Sequence, residues 1–189
     1  MLDVALEAAD ERRATGPAHV EAFVREHHAF AWRVLRRLGL SAADADDAAQ
    51  RVFLIATERL ADIALGSERA FVYRIAAHVA SKAHRSERRR MESPGLDAES
   101  CAHSLPPADE LLDERRAREL LDRILAELSP ELRAIFVLFD IEGMKKAEVA
   151  EALAIPEGTV ASRLRRARAE IEAWVQRYRA QARFKGTLP

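Results

Sequence analysis

Apolar residues near the end of this chain recur every three or four positions, which is the spacing of one face of an α-helix. The face consists of Val160, Leu164, Ala167, Ile171, Trp174 and Val175. Most arginines of this stretch lie away from that face, and six arginines accompany two glutamates between residues 159 and 179. The pattern predicts a long helix with one packing face and four surplus positive charges.

A short helix and a tight turn are predicted directly before this basic helix. Val149, Ala150 and Leu153 share one face of the short helix, and Pro156 suits the start of the next one, where its missing N–H is no loss. A short helix, a turn and a longer basic helix are the layout that places the second helix in the major groove of DNA. We interpret Lys145–Trp174 as a helix-turn-helix. The alternative is a surface helix pair with a solvated charged face.

The composition also favours helices and an uneven charge distribution. Alanine, leucine, glutamate and arginine are abundant, whereas glycine and proline each occur only seven times in 189 residues. The net charge is −1, yet residues 1–62 carry eleven acidic against eight basic side chains, while 82–90 and 159–185 are basic. This asymmetry permits one acidic partner-binding surface beside separate surfaces that face phosphates.

Several classes of protein are excluded by what the sequence lacks. The single cysteine, Cys101, cannot form an internal disulfide or a cysteine-rich metal site. No apolar run is long enough to cross a membrane, and the acidic first residues do not resemble a signal peptide, so we expect a cytoplasmic protein. The sequence shows no nucleophile–base pair, glycine-rich phosphate loop or metal constellation. We therefore expect no catalytic residues, no metal site, no cofactor and no enzyme.

The periodicity divides the chain into two helical domains. Proline–glycine and proline–proline pairs interrupt it between them, which indicates a flexible linker. The predicted segments are an N-terminal extension (1–18), a first domain (19–91), the linker (92–108), a second domain (109–178) and a basic tail that frays (179–189).

Three helices are predicted in the first domain. The first ends at Gly39, and Ser41 opens the second with Asp44 three residues on, in the arrangement of a capping box. The third begins near Glu68. Its packing face contains Phe71 or Val72, followed by Ile75, Ala76 and Val79. Its basic face contains Arg74, His78, Lys82 and Arg85, next to two aromatic side chains that we expect to be exposed, Tyr73 and Phe71. Cations beside aromatic rings suit single-stranded nucleic acid. The alternative is a solvated helix end.

Three strings of this chain resemble the signatures of a known protein family. DADDAAQRVF at 44–53 resembles the signature of sigma region two, and RAFVYRIAAHVA at 69–80 resembles the string that follows it there. Residues 128–168 resemble sigma region four throughout. The chain from about His19 to Trp174 is therefore similar to extracytoplasmic-function (ECF) sigma factors, the class that contains only these two domains.

This resemblance implies an all-α fold of two helical domains joined by a flexible linker. It also implies a transcription initiation factor that recognises and melts promoter DNA without catalysis. The implied partners are RNA polymerase core, through its β′ clamp helices and its β flap, then promoter DNA and an anti-sigma factor. The alternative function is a helix-turn-helix regulator that acts without binding polymerase core.

The resemblance further implies roles for individual residues. Polymerase core would be bound by Asp47, Gln50 and Phe53. The minus-ten element would be recognised by the loop at 61–69 and by Phe71, Tyr73, Arg74, His78, Lys82 and Arg85. The minus-thirty-five element would be read by Lys145, Thr159, Ser162, Arg163, Arg165 and Arg166. Because Lys145 replaces the usual serine N-cap ahead of Glu148, we expect the capping box there to be lost.

Overall fold

The computed structural model describes residues 16–92 and 109–184, and these form seven α-helices. They are α1 (Pro17–Arg37), α2 (Ala42–Glu58), α3 (Glu68–Glu92), α4 (Asp109–Glu127), α5 (Pro130–Phe136), α6 (Lys146–Leu153) and α7 (Glu157–Phe184). A 3-10 turn follows α2 at Leu60–Asp62, and a π-helical segment follows α5 at Val137–Ile141. The predicted all-α class is confirmed. Residues 1–15, residues 93–108 with Cys101, and the end of the predicted tail lie outside the described residues.

Serine side chains cap two of the helices, and one of them is Ser41, the cap that the sequence predicts. The Ser41 hydroxyl accepts a hydrogen bond from the Asp44 N–H (3.1 Å) and donates one to the Asp44 carboxylate (2.6 Å). Ser129 accepts from the N–H of Leu132 (3.4 Å), with Pro130 in the first turn of α5. Side-chain acceptors of this kind satisfy N–H groups that have no partner within the helix.

The expectation for the start of α6 is wrong in part. The Glu148 carboxylate accepts a hydrogen bond from the N–H of Lys145 (2.7 Å), so half of the capping box is present. The other half is missing because a lysine side chain has no acceptor atom. At its far end α7 continues to Phe184, so the beginning of the predicted tail is helical rather than frayed.

The first unit consists of α1, α2 and α3 around a shared apolar core. Its fully buried side chains include Val34, Leu35, Val52, Ala56 and Val72. The neighbouring histidines also pack on aromatic rings: His27 is buried edge-on to Phe23 (4.8 Å between centroids), and His28 stacks on Phe53 (5.8 Å). Burial lowers the pKa of His27, because the interior disfavours the charged imidazolium.

The second unit consists of α4 to α7. Ile135, Leu138, Val149 and Val160 are buried where α5, α6 and α7 meet. A smaller apolar cluster attaches α4 to α5 and α7 through Leu125, Leu128, Leu132 and Ala167. Among the described residues, no helix has both the length and the apolar content needed to cross a bilayer.

The two units pack directly against each other. Helix α3 of the first unit lies on α6 of the second, and the buried apolar side chains of both units form one continuous core. This contact places the predicted minus-ten helix beside the first helix of the predicted helix-turn-helix.

Candidate polymerase and nucleic-acid interfaces

The outer face of α2 carries two of the three predicted polymerase contacts. Asp47 and Gln50 are exposed, whereas Phe53 is only 6% exposed and packs against the Phe23 ring, with 6.1 Å between centroids. Helical geometry explains the difference, since Phe53 lies four residues after the buried Ala49 and therefore on the inner side of α2. The structure therefore places Phe53 beneath the surface rather than on it.

A residue that the sequence interpretation missed lies on the same outer face. Leu54 is 68% exposed, on a helix whose opposite face is buried. It follows Asp47 by seven residues and Gln50 by four, so the three side chains share one side of α2. This spacing could have predicted from the sequence that Leu54 lies on the outer face of α2. The indole N–H of Trp32 donates to the Asp46 carboxylate (2.7 Å), which fixes α2 to α1 and leaves Asp47 facing outward.

The aromatic residues of α3 are buried, so the expectation that they are exposed is wrong. Tyr73 is 4% exposed and Phe71 is 9% exposed. Burial disfavours the phenolate and raises the pKa of Tyr73 to about 12. Two guanidinium groups lie near the Phe71 ring, those of Arg59 (5.8 Å to the ring centroid) and Arg74 (6.0 Å). The cations near the Phe71 ring are therefore two arginines of this chain, and the ring itself is buried.

The predicted basic face of α3 is present at the surface. Arg74, His78, Lys82 and Arg85 are all exposed, and their spacing by four, four and three residues aligns them along one side of the helix. One of the four already has protein partners. Arg74 donates to the backbone carbonyl of Glu151 in α6 (3.3 Å), and its guanidinium lies 3.8 Å from the Glu151 carboxylate.

The beginning of α7 presents the residues predicted for the minus-thirty-five element. Ser162, Arg165 and Arg166 are exposed, while Thr159 and Arg163 are partly exposed. Two of these side chains make contacts within α7: Ser162 donates to the Thr159 carbonyl (3.0 Å), and Arg166 donates to Glu170 one turn on (2.9 Å). Arg163 lies 3.5 Å from the Glu131 carboxylate, which is largely exposed.

The turn between α6 and α7 has the geometry that a helix-turn-helix needs. Ala154 adopts a left-handed conformation (φ 52°) and its N–H bonds back to α6. The Pro156 carbonyl then accepts from the N–H groups of Thr159 and Val160, which begins α7. Lys145 is exposed at the start of α6. The structure thus brings Lys145 and the α7 residues onto the same pair of helices.

Comparison with known families defines the class of this protein. Residues 23–90 match the family model of sigma-70 region 2, and residues 118–171 match that of sigma-70 region 4. The matched stretches contain the exposed face of α2, the basic face of α3, all of α6 and the first half of α7. The chain is therefore a sigma-70-type protein with regions 2 and 4.

Individual relatives identify the family more closely. The chain is 34% identical over 160 residues to the ECF RNA polymerase sigma factor SigL of Mycobacterium tuberculosis, which covers 80% of this chain and 89% of SigL. It belongs to the ECF sigma factor family. It is also 31% identical to SigG of the same species over 88% of this chain, and 28% identical to SigE of Mycolicibacterium smegmatis over 84%. The chain spans 62% of the length of SigE and 50% of that of SigG.

Two solved structures share the fold. CnrH, in complex with the cytosolic domain of CnrY, superposes with a TM-score of 0.64 and 22% identity, covering 88% of this chain and 94% of CnrH. The sigma factor RpoE of Bartonella quintana, in complex with the anti-sigma factor NepR, gives a TM-score of 0.62 and 20% identity, covering 82% and 96%.

Proposed function

We propose that this chain is a bacterial transcription initiation factor that binds RNA polymerase core and directs it to specific promoters. The observation that carries the proposal is one chain with three outward surfaces: the Asp47–Gln50 face of α2, the basic face of α3 and the start of α7. A regulator that binds DNA alone needs only the last of these. Membership of the ECF family supports the same function.

The α2 face supplies the contact with polymerase core in this proposal. Exposed carboxylate and amide groups attract basic groups of the β′ clamp helices and fix the register of docking. Leu54 adds an apolar contact one helical turn beyond Gln50, and Phe53 holds α2 in place by packing inside the fold. The chain binds the β flap through its second unit.

In this proposal, the basic face of α3 binds the minus-ten element. His78, Lys82 and Arg85 follow the phosphates of the separated strand, and the loop at 61–69 captures a base taken out of the stack. Leu65 of that loop is fully exposed, which suits an apolar contact with a base. Phe71 and Tyr73 support the surface from below and stack on DNA only if α3 gives up part of its packing. Melting uses binding energy and no hydrolysis.

The start of α7 enters the major groove of the minus-thirty-five element. Arg163 reads a guanine through two hydrogen bonds, the commonest specific contact between an arginine and a base. Arg165, Arg166 and Lys145 contact phosphates, which positions the helix without reading sequence. Thr159 and Ser162 lie on the first turns of α7, directly before these arginines.

We also propose that an anti-sigma protein is a partner, as in the RpoE–NepR complex to which this fold is similar. Such a partner would cover the polymerase-binding and DNA-binding surfaces that this chain leaves exposed. Purification of the tagged chain from its host under non-inducing conditions should recover the anti-sigma protein. Constitutive activity without such a partner would contradict this part of the proposal.

Reconstituted transcription tests the main function. Purified protein added to core polymerase should support initiation from its promoter, and Asp47→Lys combined with Gln50→Ala should reduce core binding at least about tenfold, since a like-charge contact replaces an attractive one. Glu26→Lys, which reverses the charge of an exposed carboxylate on α1, away from this face of α2, is the matched control. A protein that binds promoter duplex normally but neither binds core nor initiates would be a regulator instead.

A further inference from the structure

A small cavity lies where the end of α1 approaches α4 and α5, away from the surfaces assigned to polymerase and DNA. Its volume is about 200 Å³. Its charged lining consists of Arg36 and Arg37 of α1, Asp122 of α4 and Arg133 of α5. The other residues that line it are a glycine and small or larger apolar side chains. We call this cavity the arginine pocket.

Arg133 is a partly buried cation whose hydrogen-bond partners carry no charge. Its Nε donates to the Leu125 carbonyl (2.6 Å) and its Nη2 donates to the Ala126 carbonyl (3.1 Å), both in the last turn of α4. Burial lowers the pKa of Arg133, because the charged form loses hydration that these neutral partners do not replace. Among the described residues, no carboxylate pairs with this guanidinium, so an anion in the pocket would offset its charge.

Arg36 and Arg37 are held in place on the opposite wall of the pocket. Arg36 donates through Nη1 to the Leu40 carbonyl, and its guanidinium lies 5.9 Å from the centroid of the Trp32 ring. Arg37 donates through Nη1 to the Asp122 carboxylate (2.6 Å). Groups that are already positioned lose less conformational freedom when a ligand binds. The two guanidinium groups are therefore prepared for a ligand that arrives between α1 and α5.

The arginine pocket has a surplus of both positive charge and hydrogen-bond donors. Three arginines against one aspartate leave a balance of 3 − 1 = +2. Each guanidinium has five N–H donors on three nitrogens. Within the described part of the chain, the contacts above use one nitrogen of Arg36, one of Arg37 and two of Arg133. All three arginines therefore have donors left for a ligand.

We propose that the arginine pocket binds a phosphate or diphosphate group. A phosphate dianion offsets both surplus charges, whereas one carboxylate offsets only half of them, and phosphate oxygens accept well from the planar donor fork of arginine. The cavity is smaller than the roughly 300–1,000 Å³ of pockets for drug-sized ligands, so it holds a compact anion and no base or sugar. The group comes either from a free phosphate or diphosphate ion or from a nucleotide whose remainder lies outside.

Calorimetric titration of the full chain tests the proposal and separates the two sources. The probes are inorganic phosphate, pyrophosphate, ADP and adenosine, in a phosphate-free buffer at constant ionic strength. The three probes that contain phosphate should bind and adenosine should not. Tighter binding of ADP than of pyrophosphate would assign the site to a nucleotide, and the reverse would assign it to the free ion. The absence of binding by all three, or equal binding of adenosine, overturns the proposal.

Two variants that act in opposite directions assign the binding to this pocket. Arg36→Gln should weaken pyrophosphate binding about tenfold, because a charge-assisted hydrogen bond is lost. Asp122→Asn removes the negative charge of the pocket and should strengthen binding several-fold, a gain that damage to the fold cannot produce. Arg25→Gln is the matched control, since Arg25 is an exposed arginine of α1 that pairs with Glu21 outside the pocket. Binding that neither pocket variant alters would belong to other basic surfaces and would contradict the proposal.

Tryptophan fluorescence gives a local measurement of the same event. The chain has two tryptophans, so Trp174→Phe leaves Trp32, next to Arg36, as the only one. Pyrophosphate should change the emission of Trp32 with the same dissociation constant that calorimetry gives. Heat of binding without this change would place the anion elsewhere and overturn the assignment. These measurements contain neither polymerase nor DNA, so their failure would leave the proposed function untouched.

Discussion

The two helices assigned to DNA differ in how far the fold leaves them free. Helix α3 contacts α1, α2 and α6, so its aromatic residues are buried and Arg74 is held by Glu151. Helix α7 packs on α5 and α6 through one face, and the side chains at its start extend into solvent. If the proposed function is correct, the surface proposed for the minus-thirty-five element is preformed, whereas the surface proposed for the minus-ten element is partly covered by α6 at Arg74.

Because of this difference, we expect mutations in α3 to affect folding stability and mutations at the start of α7 to affect DNA recognition. A residue of α3 that contributes to both cannot be changed without a cost in folding, while a residue at the start of α7 can be changed at little such cost. Three predictions test this comparison in order of expected size.

The largest effect is expected at Tyr73, because its ring is buried where α3 meets the rest of the core. Tyr73→Ala should lower the free energy of unfolding by about 3–5 kcal/mol, as removal of a large buried ring leaves a cavity. Urea unfolding followed by circular dichroism measures the change.

Two control variants sharpen this result. Tyr73→Phe keeps the ring and should cost far less. Arg165→Ala, on the exposed side of α7, should change stability by no more than about 0.5 kcal/mol. If Tyr73→Ala were as stable as Arg165→Ala, the ring would lie on the surface and the contrast between α3 and α7 would fail.

Much of the fold was predictable because it depends on local patterns. Ser41 and Ser129 are N-caps, Gly39 ends the first helix with a left-handed turn, and the 3.6-residue periodicity locates the core of α7. Each of these signals is contained within a few neighbouring residues. The exposed position of Leu54 was available from the same periodicity.

The burial of α3 could not be predicted in the same way. Phe71, Val72 and Tyr73 are three consecutive residues, and one apolar face of a helix cannot bury all three. All are buried because α3 has neighbours on two sides, α1 and α2 on one and α6 on the other. Contacts of this kind join residues far apart in sequence. Glu142, which reads as a polar loop residue, is buried for the same reason.

A smaller effect, on recognition rather than on stability, is expected at Arg163. If it binds one guanine through two hydrogen bonds, Arg163→Ala should reduce discrimination at that base pair by about 1–3 kcal/mol. Competition binding with duplexes that differ only at each minus-thirty-five position measures the preference.

Arg165→Ala is the matched comparison, since a phosphate contact weakens binding to all sequences about equally and lowers its salt dependence. A sequence preference unaltered by Arg163→Ala would contradict direct reading by this residue. The second unit would then recognise its site through another side chain of α7.

The smallest effect is expected at the half-formed cap of α6. Lys145→Ser supplies the missing acceptor for the N–H of Glu148 while Glu148 keeps its bond to the backbone of residue 145, so stability should rise by about 0.5–2 kcal/mol. Removal of the lysine should at the same time weaken binding to every minus-thirty-five duplex, because a phosphate contact is lost.

Lys146→Ser, one residue on and also exposed, is the control for charge alone. Opposite signs for stability and affinity would show that the start of α6 trades helix stability for a DNA contact. Greater stability with unchanged affinity would remove Lys145 from the DNA surface and leave that surface to α7.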